Sequence, residues 1–71
     1  NQAGEVMFYS EVKAGDRFRS TWGLEAIVLG VREVTGKRNL MVMWIDVVSN
    51  EKTYKLMSLK ELQHSFKYKV A

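Results

Sequence analysis

The chain has 71 residues, which is enough for one small domain and too few for a second. It contains no cysteine, which excludes a disulfide framework and a thiolate metal site and suits a reducing, cytoplasmic setting. Its 11 basic and 8 acidic side chains give a formal charge of +3, which favours an acidic partner such as nucleic acid. Because the longest apolar run is far shorter than the roughly 20 residues of a membrane helix, we expect no membrane partner.

The first third of the chain predicts a loose end, an extended segment and a short strand. Residues 1–5 are expected to be loose, whereas EVMFYSEV suits an extended segment. KAGDRF predicts a turn, because Gly15 tolerates positive φ and Asp16 can bond the local backbone. Arg17, Phe18 and Arg19 then alternate as in a half-buried strand, and STWG follows as a loop.

The middle of the chain predicts a long hairpin. LEAIVLGVREV and LMVMWIDVV are both strand-like, and TGKRN between them is a turn in which Gly36 suits a left-handed conformation. Gly30 stands where a bend or bulge would favour a residue without Cβ. The hairpin therefore supplies the two longest strands of the predicted sheet.

After the hairpin, the pattern predicts another strand and a short helix. SNEK is a tight turn, and TYKLM is a strand with Tyr54 and Leu56 on one face. SLKE has the capping-box pattern, in which Ser58 and Glu61 satisfy each other's backbone amides. We therefore expect one or two helical turns from residue 59 to about residue 64.

The last segment, SFKYKV, alternates again, which predicts Phe66, Tyr68 and Val70 inward and the two lysines outward. A sheet of five short antiparallel strands has two bare edges, and closing the sheet removes them. The sequence therefore predicts one all-β domain over residues 1–71: a five-stranded small barrel with a short helical turn before its last strand.

One stretch resembles a known architecture. VKAGDRFRSTWGLEAIVLGVRE contains a Gly-Asp turn into a first strand, a loop, and a Gly-x-x-small-apolar step into the second strand. The positions that carry this pattern are Val12, Gly15, Asp16, Phe18, Gly23, Ala26 and Val28. The stretch resembles the opening of SH3-like small barrels of the KOW and Tudor type, and SLKEL resembles their helical turn. The resemblance covers about residues 12–70 and implies the fold class alone, because Glu25 or Ala26 stands where the KOW motif usually has a second glycine.

The run LMVMWI raises the question of which face of the sheet is buried. One face holds Leu40, Val42 and Trp44, and the other holds Met41, Met43 and Ile45. Three interpretations are open. Residues 7–9 of the N-terminal segment could fold over the outer face, the outer face could bind a partner or a second copy, or strand bending could move residues between faces.

Catalytic motifs are lacking. The single histidine, His64, has no second His or Cys with which to build a metal site. The serines have no nucleophile-elbow context, and the glycines form no phosphate-binding loop. We therefore expect a protein that is not an enzyme and that uses no metal or cofactor.

Basic loops beside an aromatic residue favour nucleic-acid binding. The turn TGKRN presents Lys37 and Arg38 as phosphate contacts, and Arg17 and Arg19 share one face of their strand. Trp22, in the next loop, could stack on a base or cap the barrel. The leading hypothesis is a small non-enzymatic module that contacts nucleic acid through these five residues.

A protein-interaction or assembly domain is the alternative. The outer face of the strand LMVMWIDVV carries Met41, Met43 and Ile45. These apolar side chains could pair two copies of the chain or dock another protein. The sequence leaves both hypotheses open.

Overall fold

The computed structural model describes residues 11–20 and 22–70 together with the backbone of Val6 and Met7. The elements are β1 (Val6–Met7), β2 (Arg17–Arg19), β3 (Leu24–Val34), β4 (Lys37–Asp46), β5 (Lys52–Met57), α1 (Leu59–Ser65) and β6 (Tyr68–Val70). The domain is therefore mostly β, with five antiparallel strands of three or more residues, the two-residue β1, and one short helix before the last strand. This confirms the predicted order of elements.

The sheet is open, which corrects the prediction of a closed barrel. Its strands lie in the order β1-β6-β2-β3-β4-β5, so β1 and β5 are the two edges, and within the described residues no ladder joins them. The physical reason lies in α1, whose Leu62 and the following Phe66 are fully buried in the core. The helix covers apolar surface that strand closure would otherwise have to cover.

The β3–β4 hairpin has the predicted turn and the predicted irregularity. Thr35 and Gly36 form its two-residue loop, and both have positive φ, 50° and 79°. The register shifts between Val28 and Gly30, which is a bulge at the predicted glycine. Because of this shift, Val31 pairs with Leu40 and packs against the core.

The core lies on one face of the sheet, which we call the inner face. Its buried apolar residues are Val12, Phe18, Ala26, Val28, Leu40, Val42, Met57, Leu62 and Phe66. They come from β2, β3, β4 and β5, from the helical segment, and, in the case of Val12, from the segment before β2, so the hydrophobic effect joins the sheet and the helix into one unit.

The helix begins as its sequence predicts. The Ser58 hydroxyl accepts the Glu61 N–H at 3.1 Å, and the Glu61 carboxylate accepts the Ser58 N–H at 2.9 Å. This reciprocal cap satisfies two amides that have no partner within the helix. It also holds the Glu61 carboxylate at the start of the helix.

The last strand faces the other way from its prediction. Lys69 lies directly opposite Phe18, so it is on the inner face, and Tyr68 lies opposite Arg19 on the outer face. Phe66 is buried as predicted, but it caps α1 instead of belonging to β6. The Lys69 ammonium makes an ion pair at 3.1 Å with Asp16, whose carboxylate is buried and also accepts the Lys13 N–H at 2.9 Å.

Candidate nucleic-acid interface

Burial shows which face of the run LMVMWI lies in the core. Leu40 and Val42 are buried on the inner face, whereas Met41 is 42% exposed on the outer face. Because paired residues share a face, Met41 lies beside Leu56 and Met43 beside Tyr54. We call Met41, Met43, Ile45, Tyr54 and Leu56 the outer stripe.

One of the three interpretations of the outer face, strand bending, can be compared with this arrangement. The bulge does move Val31 to the inner face, yet the outer stripe remains, with Leu56 62% and Tyr54 61% exposed. The interpretation in which residues 7–9 cover this face concerns side chains that lie outside the described residues.

The two predicted arginines of β2 lie on the outer face and share one carboxylate. Arg17 approaches Glu25 at 3.7 Å and Arg19 approaches it at 3.5 Å. Both arginine side chains are more than half exposed, so these ion pairs are screened and contribute little to stability. Two cations against one anion leave this part of the surface positive.

Trp22 projects from the loop between β2 and β3. The Ser20 hydroxyl accepts the N–H groups of Trp22 at 3.1 Å and Leu24 at 3.2 Å, so it holds the backbone at these two residues. Gly23 follows with a φ of 80°, a conformation that glycine adopts without strain. Trp22 is 85% exposed, so its indole is presented to solvent.

Three adjoining clefts run beside the C-terminal end of α1, and His64 and Ser65 line all three. The largest, about 630 Å³, lies between α1 and β5; the second, about 280 Å³, has both Trp44 and Trp22 in its wall. The third, about 140 Å³, continues past Trp22. We call the three together the His64 groove. The cations in its wall are Arg19, Lys55, Lys60 and Lys67.

The groove is more basic than the chain's composition suggests. Its wall holds four cations and one acidic residue, Glu61, whose carboxylate accepts the Ser58 amide. Among the described residues, neither Lys60 nor Lys67 takes part in an ion pair, and both are exposed. These two ammonium groups are therefore available to an anionic ligand.

Trp44 forms a fixed wall of the groove. Its ring meets Phe66 edge-to-face with centroids 4.9 Å apart, and its indole N–H donates to the Met57 sulfur at 3.4 Å. The Lys55 ammonium lies 4.5 Å from the ring centroid, as in a cation–π pair. Trp44 thus differs from Trp22, because Phe66, Met57 and Lys55 already contact its indole.

The predicted cations Lys37 and Arg38 lie at the other end of the hairpin. Arg19 lies opposite Glu25 and Arg38 opposite Glu33, so about eight residues of β3 separate the two positions. Arg38 lines a different cleft, of about 360 Å³, beside Asp16. Of the five predicted contacts, the structure therefore brings Trp22 and Arg19 together, places Arg17 nearby on β2, and separates the other two.

The groove also contains residues that are not among the five predicted contacts: Trp44, Lys55, Lys60, His64 and Lys67. One local signal was present, because Lys60 and His64 are four residues apart and share a face of the predicted helix. The position of Lys55 over Trp44 depends on the β4–β5 register, which the sequence does not reveal.

The described part of the chain offers no group of three or more His, Cys, Asp or Glu side chains that could hold a metal ion. The helix found there, α1, is too short to cross a membrane. Comparisons of the chain with models of protein families, with curated proteins and with solved structures find no match.

Proposed function

We propose that this protein is a small, non-enzymatic module that binds nucleic acid in the His64 groove. The observation that carries the proposal is the exposed indole of Trp22 beside a groove whose wall includes four cations. Cations that follow a groove attract phosphates, and an exposed aromatic ring offers a base a surface on which to stack. Arg17 extends the same positive surface onto the outer face.

We also infer that the fold is an open version of the SH3-like small-barrel architecture. The order of the five longer strands, the bulge at Gly30 and the helical turn before the last strand support this inference. In this arrangement the loop of Trp22 and the end of α1 lie at one end of the sheet, where such domains commonly bind their ligands.

The proposal is tested by fluorescence anisotropy with a labelled 15-nucleotide strand, alone and annealed to its complement. We expect binding at 50 mM NaCl that weakens steeply by 200 mM, because phosphate contacts release counterions. A variant with Lys60→Glu and Lys67→Glu should bind at least about tenfold more weakly.

The matched control is Lys37→Glu with Arg38→Glu, which changes the net charge equally but lies at the distant hairpin turn. It should weaken binding much less than the groove variant. If neither probe binds the protein at 50 mM NaCl, the proposal is wrong. If only the hairpin variant loses affinity, nucleic acid is bound at the turn and the groove is the wrong site.

A second candidate function is self-association through the outer stripe. The exposure of Leu56 and Tyr54 favours it, since large apolar side chains that cluster on one face often mark an interface. The stripe also reaches β5, an edge strand, so a second copy placed beside β5 would continue both the sheet and the apolar surface.

Sedimentation across a concentration range separates this candidate from the first. Self-association predicts a mass that rises with concentration and returns to that of a monomer in Met43→Lys. Lys37→Glu, at the hairpin turn and outside the β4–β5 pairing, is a control that keeps the apolar residues. A strict monomer at all concentrations would rule out this candidate.

A further inference from the structure

We infer that the His64 groove selects single-stranded over double-stranded nucleic acid, with one base stacked on Trp22. This inference rests on the proposed function and adds the class of ligand and the role of one residue. It follows from what the groove presents together: one open indole face, one occupied indole, and a series of cations.

Stacking requires the face of a base. In a duplex both faces of each internal base are covered by its neighbours, so an exposed indole has nothing to stack on without unstacking the helix. In a single strand the bases can splay apart and reach the ring. The 85% exposure of Trp22 supplies such a ring without any rearrangement of the protein.

Hydrogen bonds hold the described backbone around Trp22. The Ser20 hydroxyl accepts the amides of Trp22 and Leu24, and the Gly23 carbonyl accepts the Val47 N–H at 3.2 Å, so the backbone of residues 22–24 is hydrogen-bonded. A ring on a hydrogen-bonded backbone loses less conformational entropy on binding than a ring on a backbone without such bonds. Residues 22–24 are therefore suited to present an aromatic ring to a ligand.

Trp44 is expected to position the ligand's phosphates indirectly and not to stack. A base stacked on the ring face that Lys55 covers would displace that ammonium, and the Trp44 ring and N–H already contact Phe66 and Met57. The Trp44 ring instead holds Lys55 at the edge of the largest cleft, where that ammonium can meet a phosphate. The strand would then pass from Lys55 and Lys60 to Trp22 and Lys67.

The test compares three probes of one length: a 15-nucleotide strand, its duplex, and an abasic strand that retains the phosphates. At 50 mM NaCl we expect the wild-type protein to bind the strand about tenfold more tightly than either of the others, the size that one stacked base supplies. Trp22→Ala should remove this preference, weakening binding of the strand about tenfold and leaving that of the abasic strand unchanged.

Two controls keep the result interpretable. Trp22→Ala should retain the thermal midpoint of the wild type, because the side chain is almost wholly outside the core. Trp44→Phe, if folded by circular dichroism, should keep the preference for the strand. Tryptophan fluorescence provides a second readout, since a base stacked on Trp22 should quench the wild type and not Trp22→Ala.

The failures of the two proposals differ. If the wild-type protein binds none of the three probes, the proposed function itself is contradicted. Equal affinity for the strand, the duplex and the abasic strand contradicts only the inference, because phosphate binding would remain while stacking on Trp22 would be absent. An equal affinity of wild type and Trp22→Ala for the strand also overturns it.

Discussion

At the scale of single residues, Thr35 is the clearest departure from local preference. Its φ of 50° places a β-branched side chain in the left-handed region, where such residues are rarely found. Its hydroxyl donates to the Val34 carbonyl at 2.7 Å, which compensates part of the cost. The two-residue loop imposes this conformation, because a turn that matches the twist of the strands requires positive φ at both positions.

We predict that Thr35→Asn raises the stability of the domain by about 0.5–1 kcal/mol, since asparagine tolerates the left-handed region and suits this turn with Gly36. The free energy of unfolding from urea titrations measures the change. The same substitution at Thr53, in an extended strand, should not stabilise the domain. A loss of stability in Thr35→Asn would show that the hydroxyl contact outweighs the backbone strain.

At the scale of elements, the turn between β4 and β5 is organised by one carboxylate. Asp46 accepts the Val48 N–H at 2.8 Å and the Ser49 N–H at 3.1 Å, and its carbonyl accepts the Asn50 N–H at 2.7 Å. The bond from Ser49 and then the bond from Val48 lower the pKa of Asp46 below its ordinary value of 3.8, because both amides favour the charged form.

This lowered pKa predicts an acid-sensitive contribution to stability. Since the folded pKa lies below that of the unfolded chain, the contribution is fully present above about pH 4 and is lost as the pH falls through the folded pKa. The thermal midpoints of the wild type and Asp46→Asn should therefore differ most near pH 6 and converge towards pH 2. A constant difference across this range would contradict the role of the charge.

The local elements could be read from the sequence because their signals are local. The Ser58–Glu61 cap, the turn at Gly36 and the bulge at Gly30 each depend on a few adjacent residues. Gly30 itself has open space at its Cβ position and no positive φ, so the glycine marks the bulge without being demanded by crowding.

The features that the sequence did not predict depend on contacts between distant segments of the chain. Alternation alone predicted Lys69 outward, but the pairing of β6 with β2 places it inward beside Phe18. The open sheet follows from the docking of α1, which alternation does not encode. The His64 groove was only partly foreseen for the same reason: Trp22 stands out in the sequence, whereas Lys55 and Trp44 meet through strand register.

At the scale of the whole molecule, the Asp16–Lys69 ion pair ties the entry of β2 to the last strand. Asp16 is 8% exposed and Lys69 about 30%, so the pair is shielded from solvent more than an ordinary surface pair. The second bond to Asp16, from the Lys13 amide, fixes the carboxylate in the turn that precedes β2. Removal of either partner leaves a polar group with poor compensation.

We predict that Asp16→Ala and Lys69→Met each destabilise the domain by about 1–3 kcal/mol, and that the double variant loses less than the sum. A coupling of about 0.5 kcal/mol or more is expected because the two side chains contact directly. Urea denaturation of the wild type and three variants gives the cycle. If the two losses in the free energy of unfolding simply add, the direct contact between Asp16 and Lys69 contributes nothing beyond the separate effects of the two side chains.

The β3–β4 hairpin has a consequence for the order in which the chain folds. Its two strands are joined by only two residues and pair along almost their full length, so the entropy lost in bringing them together is small. The β2–β6 pairing instead joins Phe18 to Lys69 across most of the chain and must close a far larger loop. In pulse-labelling hydrogen exchange during refolding, we expect the hairpin amides to gain protection first and the β6 amides last. The C-terminal strand would then join a sheet that has already formed.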